Sequence, residues 1–289
     1  MPDFWTHRLA GELIQEQLSN QQWQTMITEH QQIFNFGCQG PDFLFYNDFW
    51  PWISNKRGPK VGTQLHEENI QSFWLTSLDY LQKKQNQNNS NFSKLATYIS
   101  GMAAHYALDK TAHPFINART DNFPAHKNLE ANLDAYLIKK YKSQQVHKLS
   151  PLPLIDLGTN LPPSIKKYYQ HVLTQGHKFK QEIDFLDDSY HDFHRVLQLF
   201  YSPRRLKIPI FKLLELIFPT NLTLFVYPTQ PDYSLLTEEE FSQFEELINK
   251  GVTEGKQLIE IIIAYLNDKL TREQLKTKFP EINFNGVNN

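Results

Sequence analysis

The chain has 289 residues, of which 40% are apolar and 21% charged, with a formal net charge of −2 at pH 7. This composition excludes a disordered chain, and the near-neutral balance excludes the basic footprint that duplex nucleic acid demands. The single cysteine, Cys38, excludes an intramolecular disulfide framework.

The opening MPDFWTHRLAGELIQEQL is amphipathic and polar rather than a basic-then-apolar leader, and no run of about 18 apolar residues appears. The expectation is a protein without a membrane span in a reducing, cytoplasmic location. Helical periodicity runs from residue 5 to 34 through Leu9, Leu13, Ile14 and Leu18 and, after a short break, Trp23 and Ile27. Thr63 is placed to cap a helix through QLHEENIQSFWLTSLDYLQKK. The Asn/Gln-rich QNQNNSNFS at 85–93 reads as a polar linker, followed by a helix over about 93–110. Pro124 suits the first turn of the next helix, with Asn122 as its cap. HKLSPLPLIDLGTNLPPS reads as loop, and 163–200 as helical again. Segment 201–219, YSPRRLKIPIFKLLELIFP, mixes basic and apolar residues. It suits either a helix lying on a membrane surface or a core helix with snorkelling Lys and Arg stems, and the core helix is the expectation. Thr237 and Glu240 have capping-box spacing ahead of a helix carrying Phe241, Phe244, Ile248, Val252, Leu258, Ile259 and Ile262. With 11 glycines, no sustained period-two alternation and no internal repeat, the fold class is all-α. Residues 1–144 read as a metal-binding helical core, and 145–289 as a helical part packed on it within the same domain.

The histidines carry the chemistry. His105 and Asp109 are four apart, as are His126 and Glu130, so each pair projects from one helix face and can reach one cation. A lone pair of this kind is usually a solvated ion pair. Here two pairs flank a third histidine, His113, and His105 and Asp109 sit among Ala103, Ala104, Ala107 and Leu108. A carboxylate buried there is costly unless paired or ligated. Zinc takes imidazole and carboxylate donors, usually four, and the further candidates are His7, Asp42 and His66. His30, His147, His171 and His177 lie in polar contexts, and His191 and His194, near Asp187, Asp188 and Asp192, have no evident partner segment.

The ordered set His7 in MPDFWTHRLAG, Asp42 in GPDFLFYNDFWPW, His66 in GTQLHEEN, then GMAAHYALDKTAHPFI and FPAHKNLEANLD resembles the zinc-dependent phospholipase C family. The resemblance covers residues 1 to about 140. It implies an all-helical bundle of the phospholipase C and nuclease type and a di- or trinuclear zinc site. One ion would be held by Asp42, His66, His105 and Asp109, and a second by His113, His126 and Glu130. A third would take His7, a bridging Asp109 and the chain's N-terminal amine. The secreted enzymes expose a terminal Trp, whereas here removal of Met1 would expose the amine of Pro2, a separation closer to the fungal single-strand nucleases of the same superfamily. Asp3 is the alternative ligand there. The family further implies hydrolysis of phosphoric esters by metal-activated water, with Asp42 as candidate general base. The substrate class is a small-molecule or lipid phosphodiester, with peripheral membrane contact as a further option. The aromatic FLFYNDFWPW, 43–52, could wall the site, hold a choline cation or stack a base, or simply fill a core. The competing expectations are a nuclease or phosphatase on the same metals, or a non-catalytic helical protein with structural metals.

Overall fold

The small and apolar side chains around His105 leave no polar stripe for solvent. The helix they form, α6 (Phe92–Asn117), is buried at every position from Leu95 to Asp109. The computed structural model describes residues 3–50, 53–54, 56–87, 91–177, 179, 183–217 and 220–288. Around α6 are α1 (Phe4–Gln17), α2 (Gln21–Glu29), α3 (Gln31–Gly37), α4 (Arg57–Glu67) and α5 (Ile70–Asn86). They are followed by α7 (Phe123–Lys142), α8 (Leu152–Ile155), α9 (Pro163–Gln175), α10 (Leu186–Phe200), α11 (Ile208–Glu215), α12 (Glu238–Leu266) and α13 (Arg272–Lys278). The fold is all-α. Among the described residues the only β pairing is an isolated antiparallel bridge between Ile282 and Asn288.

α12 and α3 lie along α6. Glycine sets the second approach: a Cβ on Gly101 would stand 2.4 Å from the carbonyl oxygen of Phe34, and one on Gly37 2.4 Å from that of Tyr98. One apolar core draws on residues from Phe4 through Phe284, and a smaller cluster of Val196, Phe200, Phe211 and Val226 lies beside it.

Local signals hold where the cap is local. Asn122 accepts from Ala125 N (2.9 Å) at the start of α7, and Thr237 and Glu240 form a reciprocal capping box on α12. Elsewhere the elements differ from the expectation. Thr63 does not cap a helix but lies within α4, and the expected continuous helix breaks at Asn69, whose φ of 53° is left-handed. A distant side chain supports the restart: Glu281 accepts from Ile70 N (2.6 Å) and Gln71 N (2.9 Å), which a new helix leaves without partners. α6 runs on to Asn117 through Pro114. Segment 163–200 is interrupted between α9 and α10, and the expected loop at 147–164 contains α8.

The largest correction concerns 201–219. Among its described residues only Ile208–Glu215 is helical, and Leu206, Ile210, Leu213, Leu216 and Ile217 are all more than half exposed, so it is not a core helix. Within α11 Phe211 is buried, and Ile208, partly buried, packs on the same cluster.

Candidate metal centre

Five elements converge on one end of α6. α1 brings His7, a 3-10 turn (Asp42–Tyr46) brings Asp42, and α4 brings His66. α6 contributes His105, Asp109 and His113 from one face, and α7 contributes His126 and Glu130. All eight are brought together, in three groups: His7, Asp42 and His105; His66, His105 and Asp109, which shares His105 with the first; and a separate, outer group of His113, His126 and Glu130. Within each group the potential ligand atoms lie within 4.8 Å of one another. Tetrahedral donors about 2.0–2.2 Å from a zinc ion stand about 3.4 Å apart, so the groups have the right scale. Pro2 lies outside the described residues. Asp3 belongs to none of these groups; it accepts from Phe4 N (3.0 Å) and pairs with Lys127 Nζ (2.6 Å).

The hydrogen bonds fix which imidazole nitrogen faces inward. His66 Nδ1 donates to the carbonyl of Gly62 (2.7 Å), His105 Nδ1 to that of Cys38 (3.1 Å) and His113 Nδ1 to that of Phe284 (2.8 Å). Carbonyls only accept, so Nδ1 carries the proton and neutral Nε2 offers a lone pair. His126 follows suit: the Thr120 hydroxyl donates to Ile116 O (2.9 Å), which leaves it to accept from His126 Nδ1 (3.2 Å). Those lone pairs point at carboxylates. His66 Nε2 is 3.0 Å from Asp42 Oδ1, His105 Nε2 3.1 Å from Asp109 Oδ2 and His126 Nε2 2.9 Å from Glu130 Oε1. His7, whose tautomer no hydrogen bond fixes, places Nε2 3.2 Å from Asp109 Oδ1.

Acceptor facing acceptor at this range needs a proton or a cation between. The rings of His7 and His105 stack with centroids 4.3 Å apart, which opposes charging both. Burial pushes the His113 imidazole down to about 4. Both nitrogens of His7, Nε2 of His105 and both oxygens of Asp109 are buried without a hydrogen-bond partner. Buried polar atoms are rarely left so, and this donor set fits zinc.

Electrostatics prepare the carboxylates as ligands. Burial opposes ionisation of Asp109, but His105, His113 and His7 around it hold its carboxyl well below the usual range. Its Oδ2 faces His105, while Oδ1 faces His7 and, at 3.9 Å, His113. Burial likewise opposes ionisation of Glu130, and the nearby Lys127 charge helps bring it to about 2.

A sequence profile of the zinc dependent phospholipase C family matches residues 6–198, more than half of the chain. The chain belongs to the zinc-dependent phospholipase C family. Neither the curated proteins nor the solved structures gave a match. Membership of the zinc-dependent phospholipase C family supports zinc-dependent hydrolysis of phosphoric esters, and the matched span contains all eight convergent residues.

Beside the outer group opens a cavity of about 390 Å³, lined by Asp42, His126, Lys127 and Glu130 and by Phe45, Phe49, Phe123 and Phe225 among others. Several functional features carried no sequence signal. Lys127 reads as an exposed lysine on α7, yet it lies in the cavity wall. Burial would lower its pKa, but Asp3, Tyr46 and Glu130 hold it above the usual value. Gly40, at φ +55°, leaves the space His105 occupies, since a Cβ there would stand 2.2 Å from His105 Cδ2. The hook formed by residues 281–288 supplies the Phe284 carbonyl to His113, packs the Phe284 ring on His66 (centroids 4.6 Å) and takes a bond from Tyr106 Oη at Ile282 O (2.8 Å). The start of α1, which carries His7, is held by Asp134 of α7. It accepts from Trp5 N (2.9 Å), Thr6 N (2.8 Å), Thr6 Oγ1 (2.5 Å) and Tyr227 Oη (2.9 Å). The alternative cluster on α10 is occupied otherwise: Asp187 accepts from Leu161 N and Lys166, Asp192 from Asp48 N and Arg195, and His191 Nε2 lies 2.6 Å from Thr159 O.

Proposed function

We propose that the protein hydrolyses a phospholipid phosphodiester at a zinc site of two or three ions, releasing a phosphomonoester and diacylglycerol. The observation that carries this reading is the set of buried polar atoms of His7, His105 and Asp109 that face one another without hydrogen bonds, grouped with Asp42, which lines a cavity. His66, His105, Asp109, Asp42 and His7 would hold the inner metal or metals, with Asp109 placed to bridge. His113, His126 and Glu130 would hold the outer one, and the amine of Pro2 is a candidate further ligand. Zinc, when bound, makes water acidic near neutral pH and draws off charge from the phosphoryl oxygens.

The chain's own groups supply the rest. Asp42 lines the cavity and is the general base that takes the proton of the attacking water. Lys127 projects into the same wall, where its positive charge opposes the charge that accumulates on phosphorus-bound oxygen. Phe45, Phe49, Phe123 and Phe225 exclude water and accept the apolar part of the substrate. The open cavity favours an enzyme over structural metals. The same aromatic wall would stack a nucleobase, so single-stranded nucleic acid is the competing substrate.

The test is metal content measured alongside a substrate panel. Protein purified without chelator and offered zinc should carry two or three ions per chain and hydrolyse phosphatidylcholine faster than single-stranded DNA, RNA or a phosphomonoester. Less than one ion per chain rejects the metal site, and a nuclease-only profile rejects the lipid assignment.

A further inference from the structure

The exposed apolar face of α11 is the feature that the proposed chemistry does not use. Ile210 and Leu213 lie three apart on α11 and share a face, and the turns that flank the helix add the exposed Leu206, Leu216 and Ile217. Exposed apolar area of this kind is costly in a water-facing helix and marks an interaction surface. Basic side chains surround it: Arg204, Arg205, Lys207 and Lys212 against the single acid Glu215. Arg204 and Lys212 are exposed. Arg205 donates to Tyr227 O (3.0 Å) and Lys207 to Gln198 O (2.9 Å), so their stems are fixed beside these residues. Glu215 is engaged by Thr223 N (2.6 Å).

The face also connects to the cavity. Behind it, Phe211 packs on Phe200 (centroids 5.3 Å), and Phe200 stacks on Phe225 (5.0 Å). Phe225 lines the cavity next to Phe49 (5.8 Å) and Phe123 (6.2 Å), and Phe123 is itself exposed.

We propose that α11 and its flanks, Leu206–Ile217, are a lipid-docking face that inserts its apolar residues into an anionic phospholipid surface and sets the cavity's aromatic wall against it. The proposal rests on the phospholipid reading for its purpose, but not for the binding itself. No helix among the described residues is long and apolar enough to cross a membrane, so the contact is peripheral. A surface of apolar residues with Lys and Arg alongside suits the headgroup boundary, where the bases meet anionic lipid. A second copy of the chain suits it less. A helix of this length is only about 12 Å long, too short to offer the roughly 800 Å² per partner of a stable interface, and a two-fold pairing would bring like charges together.

The experiment is flotation of the full, zinc-loaded chain with phosphatidylcholine vesicles, with and without phosphatidylglycerol. The protein should float, more strongly with the anionic lipid. The double variant Ile210→Glu/Leu213→Glu changes only exposed positions and should lose more than tenfold in partition. It should keep its zinc and its rate on a short-chain, water-soluble phosphodiester, and its vesicle hydrolysis should fall with partition. In Leu213→Trp the indole emission should shift to the blue when vesicles are added. The proposal is overturned if the unmodified protein does not float, if the double variant floats equally, or if the unmodified protein is a dimer that the double variant dissociates. Flotation with the blue shift but without hydrolysis of any phosphodiester would keep the docking face and reject the catalytic reading.

Discussion

α6 and α11 reverse the ordinary partition of side chains in opposite directions. α6 takes His105, Asp109 and His113 into a setting where each is at most a few per cent exposed. α11 holds Ile210 and Leu213 out in water. Each arrangement opposes the hydrophobic effect or the cost of burying polar groups. Around α6 the relief is in the surroundings, in imidazoles and carboxylates that converge; at α11 the proposed relief is a lipid surface outside the molecule. A departure from the hydrophobic pattern is therefore informative when the neighbouring residues are organised around it.

The contrast breaks most visibly at Asp109. Asp109→Asn keeps the shape of the side chain but removes the charge facing three imidazoles. We expect loss of at least one metal ion and a fall in hydrolysis of about 10⁴-fold, some 5.5 kcal/mol of barrier. Metal analysis and initial rates check this, and a variant with full metal and rate removes Asp109 from the site.

Asp134 tests whether a buried carboxylate can instead be relieved by hydrogen bonds. Burial, with the Asp3 charge nearby, pushes its pKa up from 3.8 to about 7. The folded chain therefore keeps a proton that the unfolded chain has released. Its stabilising contribution is full below pH 3.8 and declines as pH rises to about 7, by about 4 kcal/mol at most. In Asp134→Asn this decline should vanish. Urea unfolding of the metal-free protein at about pH 5 and about pH 8 measures it, and equal pH dependence in both proteins refutes it.

Gly40→Ala sharpens the comparison on the α6 side without replacing a candidate ligand. The added Cβ must displace His105, and zinc affinity should fall by about 10- to 100-fold, read by competition with a chelating dye while the far-ultraviolet spectrum stays unchanged. At the other extreme, Leu213→Ser should alter folding stability by no more than about 0.5 kcal/mol. A larger loss in urea unfolding would mean that α11 contributes to the core after all.

The parts of this architecture that could be read in the sequence are those whose causes are close in the chain. Helical periodicity, the Asn122 cap and the Thr237–Glu240 box depend on neighbours within four residues. The eight candidate ligands were legible because helix geometry pairs His105 with Asp109 and His126 with Glu130, and because their order resembles a family. What escaped depends on distant residues. The break at Asn69 is completed by Glu281, the place of Lys127 by Asp3, and the room for His105 by the left-handed turn at Gly40. Segment 201–219 departs from the core-helix expectation because apolar residues have the same spacing whether they meet a core or a surface.

The hook at residues 281–288 has a consequence in time. His113 stands 171 positions before the Phe284 carbonyl that orients it. A chain growing from its N-terminal end has made His113, His126 and Glu130 long before it has made the partner that points the first of them inward. The outer group is therefore complete only after residue 284 has been synthesised and folded back. A chain stopped before residue 284 would lack the carbonyl that orients His113 and, on the proposed zinc reading, would hold the ion more loosely. On the proposed zinc reading, the 281–288 hook would act as a checkpoint on metal loading.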